Sequence, residues 1–135
     1  MKKLLPLLLA FLLLLTGCGA SPDREGQTRS YRQIGMEEAV AMMEEESGYI
    51  LLDVRTPEEH KIGYLEGAVL LPLAELESKI SSKVADKNTP VYIYCRSGRR
   101  AGTAVETLKA MGYTDLHNLG GLKDAREKLN IPIKK

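Results

Sequence analysis

From residue 31 onward the chain alternates between two hydrophobic periods. "YRQI" at 31–34 is a weak candidate strand. Met36, Ala39, Val40 and Met43 then recur at i, i+3, i+4 and i+7, which predicts an amphipathic helix over about residues 36–46, with Gly48 as its stop. Glu44–Glu46 belong to its solvated outer face. "YILLDV" is a near-continuous apolar run, the pattern of a strand buried on both faces of a parallel sheet. "TPEEHKIG" starts a short helix: Thr56 can cap, Pro57 suits the first turn, and Glu58 and Glu59 favour the helix dipole. "AVLLP" is a further short strand ended by Pro72, residues 73–81 are helical, and "PVYIYC" is a clear strand. Ala101, Ala104, Val105 and Leu108 repeat the helical spacing over 99–111, with Gly112 as the stop. "TDLHNL" gives a last short strand, and 121–129 a last helix.

Strand and helix alternate with short connections. That order predicts an α/β domain, with a mostly parallel central sheet of about five strands and helices on both faces. In such sheets the binding site lies at the carboxyl ends of the strands. Two places qualify: Asp53–Arg55 after "YILL", and Cys95–Arg100 after "VYIY".

The first residues follow another pattern. "MKKLLPLLLAFLLLLTGC" has two lysines, an apolar stretch from Leu4 to Leu15, and then small residues. This is the order of a secretory signal, and the stretch is short for a membrane span, which needs about 20 residues. "LTGC" resembles the bacterial lipoprotein box. The resemblance implies that residues 1–17 are removed, that Cys18 is lipidated, and that the protein is anchored on the extracytoplasmic face of a cell membrane. Residues 18–30, rich in Gly, Ser and charge, then form a flexible tether, and 31–135 the folded domain.

Composition sharpens three points. The formal charge is +1, and −1 once Lys2 and Lys3 leave with the signal, so nothing suggests a nucleic-acid partner. Trp is absent and Phe occurs once, so the core is aliphatic, with Tyr and the methionines at 36, 42, 43 and 111 as fillers. The chain has two cysteines; with Cys18 lipidated, Cys95 is the sole thiol and no internal disulfide can form.

That thiol has unusual neighbours. "YCRSGRRAG" at 94–102 sets Cys95 at the end of an apolar strand and follows it with Arg96, Ser97, Gly98, Arg99 and Arg100. Backbone N–H groups of such a turn converge on an anion, the coming helix adds partial positive charge, and guanidiniums add formal charge. Each effect favours thiolate over thiol. Gly98 lets the loop curl around the sulfur. Arginines in a first helical turn oppose the dipole, a local misfit typical of functional sites.

"CRSGRRA" resembles the active-site loop of the rhodanese domain family, the sulfurtransferases. "LLDVR" with "PEEHKIGYLEGAVLLP" resembles the family's upstream signature, and "NLGGL" at 118–122 its Gly-Gly segment. Tyr64 stands where the family usually has His, and Asp124 and Ala125 occupy its Ala-Trp positions. The resemblance covers about residues 31–133. It implies that Cys95 takes a sulfane sulfur from a donor such as thiosulfate, becomes a persulfide, and passes the sulfur to cyanide or a thiol. It also implies that residues 96–100 bind the substrate and that Asp53 and Arg55 support the site. No cofactor or metal is implied, and the protein is expected to be a monomer.

Two other readings bear on the loop. A Cys-x5-Arg phosphatase or arsenate reductase would need arginine at 101, where Ala101 stands, so the loop is one residue shorter and better sized for sulfur than for a tetrahedral oxyanion. A persulfide carrier or thiol redox sensor on the same fold would also need Cys95, but without turnover. His60 and His117 have no Cys, Asp or second His at ligand spacing and are not expected to bind metal.

Overall fold

The structure, a computed structural model, describes residues 36–135. The lipoprotein box, the tether and the expected strand at 31–34 lie outside the described residues. Helix α1 spans Met36–Glu45 and strand β1 Ile50–Asp53. Helix α2 covers Pro57–Ile62, and β2 (Tyr64–Leu65) and β3 (Val69–Leu70) are two-residue strands. A 3-10 turn at Leu73–Glu75 leads into α3 (Leu76–Lys83). Strand β4 (Val91–Cys95), helix α4 (Arg99–Ala110), strand β5 (Leu116–Gly121), helix α5 (Leu122–Leu129) and strand β6 (Ile133–Lys134) complete the chain.

The main sheet among the described residues has four strands rather than about five, in the order β3-β1-β4-β5, all parallel. β4 is central and every one of its five residues is buried, as a strand covered on both faces must be. One face packs Leu52, Ile93, Val105 and Leu108 with Leu76 and Ile80, beneath α3 and α4. The other packs Leu51, Tyr92, Tyr94 and Leu119 with Ala39, Met43 and Ala125, beneath α1 and α5. The helical periods hold: Ala101, Ala104, Val105 and Leu108 are the buried residues of α4.

Hydrophobic patterning gives no hint of the small second sheet. β2 pairs antiparallel with β6, Leu65 opposite Ile133, and so clips the C-terminal end onto the segment after α2. Glu46 corrects the picture of a fully solvated acidic face. It is half-buried, and its Oε2 accepts a hydrogen bond from the Tyr92 hydroxyl at 2.9 Å.

Candidate active site

The carboxyl ends of β1 and β4 lie side by side, because Asp53 and Tyr94 are register partners. The two segments singled out by the topology rule therefore meet. At the end of β4, Cys95 is fully buried. Its Sγ accepts the Gly98 backbone N–H at 2.9 Å. The loop thus turns back over the sulfur within three residues. Gly98, at φ 94°, is the N-cap of α4. That left-handed conformation is costly for residues with a Cβ.

Strand β5 holds the loop from the other side. Its register slips between Ile93 and Cys95 of β4, which brings Gly121 opposite Cys95. A Cβ on Gly121 would stand 2.4 Å from the Arg96 carbonyl oxygen, so only glycine lets strand and loop approach this closely. Asn118 adds a strap: its Nδ2 donates to the Gly98 carbonyl at 3.1 Å, and its Oδ1 accepts the Gly120 N–H at 2.8 Å.

The three arginines have different surroundings. Arg100 donates two parallel hydrogen bonds to Glu59, 2.7 Å and 2.8 Å long. Glu59 also closes a capping box on α2: its Oε2 accepts the Thr56 N–H at 3.0 Å, and its own N–H donates to Thr56 Oγ1. The hydrogen bonds from Arg100, chief among the causes, hold the Glu59 carboxyl down to about 2. The same bonds raise the Arg100 guanidinium above its ordinary range, and the charges of Glu59, Cys95 and Asp53 add to the effect. Arg100 is therefore tied to α2, with the Glu59 carboxylate set against its charge in the first turn of α4. Arg96 and Arg99 are exposed. Arg96 lines an open cleft of about 510 Å³ together with Arg55, Glu59, Ile62, Gly63, Leu122 and Ile133.

Asp53 and Arg55 form a buried hub. Arg55 donates from Nε and Nη2 to the Asp53 carboxylate and from Nη2 to the Gly63 carbonyl at 2.7 Å. Asp53 Oδ2 also accepts the Tyr94 hydroxyl at 3.0 Å and lies 2.9 Å from His60 Nδ1. Burial pushes the Asp53 carboxyl up, but hydrogen bonds from Arg55 and His60 outweigh it and hold it below the usual aspartate range. Burial first, and then the Asp53 charge, push the Tyr94 phenol well above its ordinary value. The Tyr94 hydroxyl accepts the Leu65 N–H at 3.1 Å. β1, β4, α2 and β2 are thereby joined in one polar network beneath the cleft.

The structure therefore brings Asp53, Arg55 and Cys95–Arg100 to one end of the sheet. Glu59, Tyr94, Asn118 and Gly121 join them without having been singled out for the site. The Thr-x-x-Glu spacing at 56–59 is a visible sign that Glu59 has a task at a helix start; Asn118 and Gly121 lie in the "NLGGL" segment that carries part of the family resemblance, but no role is read for either, and nothing local marks the Tyr94 hydroxyl as a partner of the site. His60 and His117 each face an aspartate, Asp53 and Asp115. Among the described residues no group of three or more His, Cys, Asp or Glu side chains could hold a metal ion.

A cysteine in an amide turn at the end of a central parallel strand, flanked by arginines and backed by an Asp-x-Arg hub, defines a class of α/β domains. The chain belongs to the rhodanese-like domain family, which matches residues 36–128. It is 47% identical over 73 residues to thiosulfate sulfurtransferase PspE of Escherichia coli, an alignment covering 54% of this chain and 70% of that protein. YqhL of Bacillus subtilis is 42% identical over 74 residues, and the chain spans a little over half of that protein, 57%. Among solved structures, a rhodanese with anions from E. coli superposes with a TM-score of 0.59 at 40% identity, over 64% of this chain and 98% of that one.

Proposed function

We propose that the protein is a sulfurtransferase that moves a sulfane sulfur from thiosulfate or a similar donor to a thiophilic acceptor through a persulfide on Cys95. The observation that carries this reading is the Gly98 N–H donated to Cys95 Sγ at the base of an arginine-bearing loop. The 47% identity to a thiosulfate sulfurtransferase and the likeness to a rhodanese solved with anions support it. In the first step the Cys95 thiolate attacks the outer sulfur of thiosulfate. A sulfur–sulfur bond forms on Sγ, the bond to the sulfonate sulfur breaks, and sulfite leaves with the electron pair. In the second, an acceptor such as cyanide or a thiolate takes the outer sulfur and Cys95 departs as thiolate. Two covalent half-reactions of this kind give ping-pong kinetics. Loop amides and cationic side chains suit both the dianionic donor and the persulfide anion.

Intact-mass measurement after thiosulfate treatment tests the reading. One added sulfur is expected on the wild-type chain, none on Cys95→Ser, and cyanide should remove the sulfur as thiocyanate over many turnovers. No added sulfur, or one retained in Cys95→Ser, overturns it; loading without turnover makes the protein a carrier instead.

We also propose that Cys18 is lipidated and anchors the domain to a membrane on the extracytoplasmic side. The "LTGC" sequence after a basic and apolar leader supports this. Cys18→Ala, or treatment with globomycin, should leave the leader uncleaved; normal processing overturns the proposal.

A further inference from the structure

The cleft beside the loop is much larger than thiosulfate needs, and it does not end at the loop. A second hollow of about 320 Å³, lined by Leu122, Lys123, Arg126, Glu127 and Ile133, shares Leu122 and Ile133 with the first. Together they make one concave track from Arg96 along α5. Its wall is apolar: Leu122 and Ile133 are half-buried, and Ile62 is 76% exposed, the sole large hydrophobic so open among the described residues. Its free charge is positive. Within the lining, Arg55 is neutralised by Asp53 and Glu59 by Arg100, which leaves Arg96, Lys123 and Arg126 against Glu127. Apolar contact inside a cationic rim suits an anionic partner that carries apolar side chains.

We infer that this track seats the acceptor: a thiol on an acidic polypeptide, flanked by apolar side chains. The inference rests on the sulfurtransferase reading and deepens it. Cys95 is the one free cysteine of the described domain, so no thiol there can take the sulfur off. The acceptor comes from another molecule and must present its sulfur beside Arg96. Transfer is redox-neutral. The acceptor thiol's sulfur bonds to the outer sulfur of the Cys95 persulfide anion, the thiol proton passes to that outer sulfur, the bond to Sγ breaks with its electron pair going to Sγ, and Cys95 leaves as thiolate while the acceptor becomes the persulfide. Concavity favours a polypeptide over a lipid surface, which would seat best on a flat or convex face.

Binding rather than transfer tests the inference, so failure of the persulfide chemistry leaves the result readable. The probes are two fluorescein-labelled peptides with serine in the cysteine position between leucines, one bracketed by glutamates and one by lysines. Fluorescence anisotropy is read on the full chain in nonionic detergent. The acidic peptide is expected to bind at least about tenfold more tightly than the basic one, with affinity falling as salt rises. Lys123→Glu with Arg126→Glu should reverse that order, and Ile62→Asp should weaken the acidic peptide. All three positions are exposed, and circular dichroism of each variant verifies its fold. Equal binding of the two peptides, or an order unchanged in the charge-reversed variant, overturns the inference. So does charge-dependent binding of phosphatidylglycerol vesicles without peptide discrimination, which would make the track a membrane-facing surface.

Discussion

Asn118 of β5 donates from its side-chain amide to the Gly98 carbonyl at 3.1 Å, so the residue that turns its N–H onto the Cys95 sulfur is held by the neighbouring strand. The Gly98 carbonyl also accepts the Gly102 N–H at 2.9 Å, as the first bond of α4. The cradle is therefore fixed at one residue by helix and strand together. Asn118→Ala removes this bond and the one that Asn118 Oδ1 accepts from the Gly120 N–H, and should cost about 2 kcal/mol of stability, at about 1 kcal/mol for each. Its effect on thiosulfate-to-cyanide turnover should be larger, at least about tenfold in kcat/KM, because small displacements of positioning groups are costly in catalysis. Parallel steady-state kinetics and urea unfolding would show this, and an unchanged kcat/KM would remove Asn118 from the positioning shell.

Gly121 makes a separate prediction through close approach rather than hydrogen bonding. Alanine there would put its Cβ 2.4 Å from the Arg96 carbonyl oxygen, with the Ser97 Cα 3.3 Å away. Contacts that short cannot persist, so Gly121→Ala should push the loop outward and abolish persulfide formation by intact mass. Gly67→Ala is the matched comparison. Gly67 has φ 87°, but nothing lies within 4 Å of its Cβ position. It should lose about 1–2 kcal/mol for the left-handed backbone and keep full sulfur loading.

How far the sequence discloses the protein depends on the range of each interaction. Tyr49–Val54, Pro90–Cys95 and the α4 repeat carry their burial in their own spacing, and they stand where periodicity puts them. Thr56 likewise caps α2, since cap and helix are local. The β2–β6 pair escapes because a two-residue strand has no period, and Leu65 meets Ile133 only after the whole sheet has formed. Tyr94 counted as one more apolar residue of a buried strand. Its hydroxyl instead reaches Asp53, 41 residues away, and nothing local announces that. Glu46 is the same case, drawn inward by Tyr92. The catalytic candidates were legible because strand, cysteine, turn and arginines are contiguous. Their supports were not, because Glu59, Asn118 and Gly121 come from other elements.

The division of labour among the arginines follows from their partners. Arg100 is tied to Glu59, Arg96 lines the cleft, and Arg99 is exposed at the first position of α4. Arg96→Ala should therefore raise KM for thiosulfate about tenfold with little change in kcat, as loss of a charged contact to the donor would. Arg99→Ala should change KM less than Arg96→Ala. Arg100→Ala should lower kcat, because it removes charge beside the thiol and frees Glu59 together. A larger KM effect at Arg99 than at Arg96 would reassign the donor contact.

The Glu59–Arg100 pair also predicts a pH dependence with a definite sign. Hydrogen bonds from Arg100 first, opposed by burial and helped by those from Thr56, lower the Glu59 carboxyl in the folded protein from its ordinary 4.5 to about 2. A carboxylate with a depressed folded value stabilises the fold fully above its unfolded value, and the contribution fades as pH falls from there through the folded value. The window is thus about pH 4.5 down to 2. Glu59→Gln keeps an oxygen to accept the Thr56 N–H, so α2 retains its cap, but it deletes the charge facing Arg100. Wild type should be more stable than Glu59→Gln by a constant margin above about pH 5, and the margin should shrink steadily as the pH is lowered toward 3. The Glu59 carboxylate and the Arg100 guanidinium are both partly exposed, so the margin should be modest and should narrow in high salt. Asp53 is also held low, but it is common to both proteins and cancels in the difference. Urea unfolding at a series of pH values, with and without added salt, measures the margin directly. A difference independent of pH would mean that Glu59 acts through its cap alone and that Arg100 is positioned by other groups.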